Sequence, residues 1–130
     1  MKYFLAKTDP DTYSTDDFER EGVTLWDGVH NYQAIANIKL MKPGDQVFIY
    51  ESMSLKSVTA LAEVITEPVL NTADPRHSWV VNIKFVRRLN HVSLNEMKTN
   101  PDYEGFLLLR HSRLSVMPVE EKFAKLILSK

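Results

Sequence analysis

Cysteine is absent from this chain of 130 residues, so disulfides and thiolate metal sites are excluded outright. Glycine occurs only at 22, 28, 44 and 105, too scattered for a glycine-rich phosphate loop. The four histidines, at 30, 77, 91 and 111, share no ligand spacing, and no serine sits in a G-x-S-x-G turn. Neither a metal nor a cofactor is therefore expected, and an enzyme reading starts low. Long apolar runs are missing too. The opening MKYFLAKTDP holds an apolar run of only four residues, Tyr3 to Ala6, before Lys7, too short for a signal peptide core or a membrane span. A cytoplasmic protein with no membrane association is the expectation. Charge of one sign is also lacking: 16 basic against 17 acidic residues leave a net charge of -1. Nucleic-acid binding would then rest on a local patch or a specific pocket.

What is present is the composition of one compact domain, 44% hydrophobic and 25% charged, spanning residues 1–130. Residues 2–6 read as a strand. Ser14-Thr15-Asp16-Asp17 reads as a helix start, with acids at the positive end of the dipole and Gly22 at the close. Tyr32, Ile35, Ile38 and Met41 recur at helical spacing, which predicts a helix with Tyr32 on its core side. After the turn Lys42-Pro43-Gly44-Asp45 the period switches to two. Strands follow at 46–51, 58–66 and 79–87, the third presenting Trp79, Val81, Ile83 and Phe85 on one face. Residues 67–77 are the longest loop. Ser93 to Glu96 form a capping box, residues 114–117 a last strand ended by Pro118, and Phe123, Leu126 and Ile127 one face of a C-terminal helix. Strands at hairpin spacing with short helices between them predict an α+β fold built on a small curved sheet or barrel.

The densest chemistry lies in LWDGVHNYQA at residues 25–34. Trp26, followed by Asp27 and Gly28, falls in a polar segment between two helices, where a core tryptophan would be out of place. With Lys7, Thr8, Asp9, Asn31, Tyr50 and Trp79 it offers a flat ring beside carboxylate, amide and lysine groups. Such a set suits a nucleobase, whose face stacks and whose edge takes hydrogen bonds. Trp79 also reads as core packing, and Tyr50 alternates such that it faces either side. Arg87, Arg88, Arg110, His111 and Arg113 form the densest positive set, read either as a solvated face or as a guide for a nucleic-acid backbone.

These motifs together resemble the EVE domain family. K-T-D-P at Lys7–Pro10, Y-S-T-D-D-F at Tyr13–Phe18, W-D-G-V-H-N-Y-Q-A at Trp26–Ala34, A-E-V at Ala62–Val64 and R-L-S-V-M-P-V at Arg113–Val119 occur in the family's order. The resemblance implies a PUA-like bent β-barrel flanked by short helices and related to YTH domains. It implies a non-catalytic reader of a methylated or hydroxymethylated base in DNA or RNA, with a restriction-type effector as a partner in trans. It places Lys7, Thr8, Asp9, Trp26 and Asp27 at the base pocket, with Asn31 and the turn after Tyr50 as neighbours. Where the family carries Arg this chain has His30, expected with Arg87, Arg88, Arg110 and Arg113 at the nucleic-acid backbone; where it carries His there is Glu51, and Ser57–Ala60 lacks the family's glycines. A binder of a free nucleoside-like ligand and a cryptic hydrolase or nuclease are the alternatives. Salt dependence separates the first, and metal-dependent turnover the second.

Overall fold

A computed structural model describes residues 1–130. The chain runs β1 (Tyr3–Thr8), α1 (Thr15–Glu21), β2 (Val23–Trp26), α2 (Tyr32–Lys39), β3 (Gln46–Glu51), β4 (Ser57–Val64), β5 (Val69–Leu70) and β6 (Trp79–Ser93). It continues through α3 (Leu94–Thr99), a 3-10 turn (Pro101–Tyr103), α4 (Leu107–Arg110), β7 (Val116–Val119) and α5 (Glu121–Leu128). The strands form one bent sheet in the order β2-β6-β4-β3-β1-β7, with β5 pairing off β6. Only β1 and β3 are parallel; the other ladders are antiparallel. The expected α+β class and PUA-like bent sheet are present. No ladder joins β2 to β7, however, so the barrel stays unclosed.

Local chemistry explains the helices. Ser14 caps α1 by accepting from Asp17 N, Asp17 answers Ser14 N (3.0 Å), and Gly22 ends the helix at φ 78°. Asn31 caps α2 through Ala34 N (3.0 Å). At α3 only half of the expected capping box forms. Ser93 accepts from Glu96 N, but the Glu96 carboxylate turns instead to Lys130 Nζ (2.5 and 2.6 Å). Register shifts in the β3–β4 and β4–β6 ladders bend the sheet around the core, as bulges do. Phe4, Phe48, Ile49, Ile83 and Met117 from the sheet meet Phe18, Ile38, Phe123 and Ile127 from the helices and Phe106 at the start of α4, all fully buried. Asn37 ties α2 to the edge strand by donating to Val116 O (2.8 Å).

Several expectations are corrected. Trp26 is not in a loop; it ends strand β2, opposite Val81. Tyr32 is 91% exposed: it is the first residue of its helix, and the buried face begins two residues later at Ala34. The third predicted strand continues to Ser93, six residues past the expected end, held by β4 at Val58 and Ser57. The last strand is Val116–Val119 with Pro118 inside it. Proline is accommodated because β7 is a sheet edge, where a missing N–H breaks no outer ladder. The short strand β5 lies within the predicted long loop, and α4 and the 3-10 turn carried no periodicity long enough to announce them.

Candidate nucleic-acid interface

The end of β1, the lead-in to α1 and the end of β2 converge on one open pocket of about 430 Å³. Strands β1 and β2 lie four places apart in the sheet, so only its curl brings them to a shared cavity. Lys7 and Thr8 come from β1, Thr12 and Tyr13 from the following loop, and Glu21 from the last turn of α1. Thr24, Leu25, Trp26 and Asp27 supply the opposite wall. Beyond Asp27, Gly28 at φ 73° turns the chain away.

Each wall is held by identifiable bonds. Thr8 Oγ1 donates to Tyr13 O (2.5 Å), while Thr12 N and Tyr13 N donate to Asp9 O at 3.0 and 2.8 Å. Asp9 spends its carboxylate on Asp11 N (2.9 Å), so it shapes the loop and does not line the cavity. Tyr13 Oη donates to Glu21 Oε1 (2.5 Å), and its ring meets Trp26 edge-on at 6.5 Å and 79°. Burial, then the Glu21 carboxylate, pushes the Tyr13 phenol up to about 12, so it remains a donor and fixes Glu21. Lys7 Nζ donates to Ser112 O (2.9 Å), and burial lowers its pKa below the usual lysine range. An anion or a carbonyl beside it would restore part of the solvation that burial removes.

A buried polar chain links β3, α1 and β4. Glu51, 6% exposed, accepts from Thr15 N (2.8 Å) at the start of α1. Thr15 Oγ1 lies 2.6 Å from Thr59 Oγ1, which donates to Ile49 O (3.4 Å). Glu51 thus stands under α1 as an acceptor and lies outside the pocket wall.

Of the residues singled out in the sequence, Lys7, Thr8, Trp26 and Asp27 meet in this pocket. Tyr50 is 4% exposed and borders a neighbouring hollow of about 170 Å³ that shares Lys7. Asn31, Arg110 and Arg113 line a third, polar hollow of about 290 Å³ together with His111 and Ser112. Trp79 is half-buried at the core edge with Lys39 Nζ 4.8 Å from its ring centre, away from the pocket. His30 Nε2 sits 2.7 Å from Asp74 Oδ2 and tethers the 71–78 loop. The Ser78 hydroxyl lies beside that carboxylate without closing a well-formed hydrogen bond. With Arg76 N and His30 it holds Asp74 well below the usual carboxylate range. Arg88 is bound by Asp16 and by Glu19 (3.0 Å), whereas Arg87 points to solvent. Sequence reasoning did not single out Thr12, Glu21 and Thr24. Their only signal is proximity to the K-T-D-P and W-D-G segments. No three His, Asp or Glu side chains gather to hold a metal ion, and no helix is long and apolar enough to cross a membrane.

A family model described as EVE domain matches residues 2–130. The chain belongs to the EVE domain family. Thymocyte nuclear protein 1 of Rattus norvegicus is 27% identical, over 98% of this chain and 72% of that protein. A crystal structure of a protein from Agrobacterium tumefaciens superposes with a TM-score of 0.92 at 34% identity, covering 99% of this chain and 92% of that one. Human THYN1 in complex with 5-methylcytosine-containing DNA superposes with a TM-score of 0.88 at 23% identity, covering 99% and 96%, and speaks for a shared fold.

Proposed function

We propose that this EVE domain is a non-catalytic reader of a modified nucleobase in DNA or RNA, and that the pocket between β1 and β2 takes the base. One observation carries the reading: Trp26 lines the same 430 Å³ cavity as Lys7, Glu21 and Asp27. The ring stacks a base face, the carboxylates accept from an exocyclic amine, and the lysine donates to a base carbonyl. A cytosine edge, with one amine and one carbonyl, fits that donor and acceptor set. The family relative crystallised with 5-methylcytosine DNA supports the same ligand class.

Energetics define how such a reader works. Stacking contributes about 1–3 kcal/mol per base, and burying one methyl about 0.8 kcal/mol, near a fourfold preference. Selectivity beyond that needs edge hydrogen bonds or a shape that the unmodified base leaves unfilled. An effector acting in trans, of restriction type, would add what a reader lacks in catalysis.

A binding screen against oligonucleotides carrying different modified bases, at two salt concentrations, tests the reading. A modified oligonucleotide should bind better than its unmodified twin, with affinity falling as salt rises. Free nucleoside binding as tightly as the oligonucleotide, with no salt dependence, would replace the reader with a small-ligand binder. Divalent-metal-dependent cleavage would make it an enzyme.

A further inference from the structure

Five residues, Ser52 to Lys56, join β3 to β4, and their tip carries two apolar side chains into solvent: Met53 is 57% and Leu55 46% exposed. Two residues of this tip, Met53 (φ 69°) and Lys56 (φ 44°), hold the left-handed conformation that side chains other than glycine and asparagine avoid. The tip is nevertheless pinned on both legs. Ser52 donates to Thr8 O through its amide (2.9 Å) and its hydroxyl (3.1 Å), and Thr8 is a wall of the Trp26 pocket. On the other leg, Leu94 N donates to Lys56 O (2.7 Å), and Ser57 Oγ to Leu55 O (2.8 Å). Folding thus holds a strained apolar point one residue from an anchor on the pocket rim.

Its surroundings are cationic and free. Lys7 lines both the Trp26 pocket and the hollow under Met53 and Lys56; Ser112, which accepts from Lys7, lines that hollow and the next one. The three cavities therefore run together past Lys7 and Ser112. Along this path Lys7, Lys56, Arg110 and Arg113 form no salt bridge, whereas Arg88 on β6 is neutralised by α1. No acidic residue lines the second or third hollow. Apolar side chains flanked by unpaired cations match a duplex, whose stacked interior is apolar and whose edges carry phosphates.

From this arrangement we infer that the ligand is double-stranded nucleic acid, and that the Met53–Leu55 tip enters the stack as a wedge beside the base drawn into the Trp26 pocket. A base can reach that pocket from a duplex only by leaving the stack, which opens a gap and costs pairing and stacking. An apolar side chain in the gap recovers part of that cost. Lys56, Arg110 and Arg113 then hold the strand on either side. The inference rests on the base-reader reading and narrows its substrate to duplexes.

The test compares the wild-type protein with the double variant Met53→Ser, Leu55→Ser. Both are titrated with a 5-methylcytosine duplex and with its 5-methylcytosine strand alone, a 2-aminopurine marking the neighbouring position. Because both side chains are exposed, the variant should melt within a few degrees of wild type. The wedge predicts about a tenfold loss on the duplex, a change under about twofold on the single strand, and a loss of the 2-aminopurine brightening that unstacking gives. Equal losses on both ligands, or none on the duplex, overturn the wedge and leave the base pocket standing. Wild-type protein that binds neither ligand more tightly than the unmethylated oligonucleotides overturns the base-reader reading for this base, and the wedge with it.

Discussion

Replacing Glu51 by alanine should lower the melting temperature by about 7–10 °C, from a loss of about 2–3 kcal/mol in a domain this size. The magnitude follows from the bond it removes. Glu51 is 6% exposed and accepts from the amide of Thr15, itself 1% exposed, at 2.8 Å. A hydrogen bond to a charged group contributes about 1.5–3 kcal/mol, and the orphaned amide costs a similar amount because water does not reach it. Relief from burying a carboxylate offsets part of this loss. Glu51→Gln keeps an acceptor of the same size, so it should cost about 1 kcal/mol, near 3–4 °C. Thermal unfolding followed by circular dichroism reads both. An alanine variant melting within about 2 °C of wild type would refute the reasoning. So would a glutamine variant as unstable as the alanine one, since charge and not the acceptor would then be at stake.

Other consequences can be checked in the same proteins. Arg110→Ala and Arg113→Ala should each reduce the slope of log affinity against log salt by about one, with base preference unchanged; Arg88→Ala should leave the slope alone because Asp16 and Glu19 already occupy it. A slope change for Arg88 equal to the others would show that the phosphate path lies elsewhere. Asp74 is held below its usual range by Ser78, Arg76 and His30, so its stabilising effect is full above the unfolded carboxyl range, near pH 4, and drains as acid takes the pH below it. Asp74→Asn should flatten that part of the acid-unfolding curve, and an unchanged curve would remove Asp74 from the acid response. Lys7→Met should weaken oligonucleotide binding while leaving the melting temperature within a few degrees, since its one side-chain bond, to Ser112 O, is at the surface. A large stability loss would make Lys7 a structural residue.

Local chemistry was the legible part of this chain. Ser14 and Gly22 bound α1 for reasons contained within three or four residues, and the structure uses both, whereas the Asn31 cap of α2 emerges only in the structure. Alternation announced β3, β4 and most of β6. What stayed hidden depends on partners distant in sequence. Trp26 is a strand residue only because Val81 lies opposite, and the four-residue β2 has no alternation of its own beyond that pairing. Tyr32 fits the helical period, yet the buried face of α2 begins only at Ala34. The hydrogen bond of His30 with Asp74 spans 44 residues, and no spacing rule joins them. At the site, Lys7, Thr8, Trp26 and Asp27 were visible as motif residues. Glu21 and Thr24 enter it because a seven-residue helix and the curl of the sheet carry them there.

Two tryptophans make the central claim directly measurable. With Trp79 replaced by Phe, away from the pocket, the remaining indole signal belongs to Trp26 alone. Titrating Trp79→Phe protein with a 5-methylcytosine oligonucleotide should quench that fluorescence saturably, because a stacked base contacts the ring. The unmethylated oligonucleotide should need about a fourfold higher concentration or more for the same quench. Binding that saturates by an independent measure while Trp26 emission stays constant would contradict the account, because the base would then be read somewhere other than the Trp26 wall.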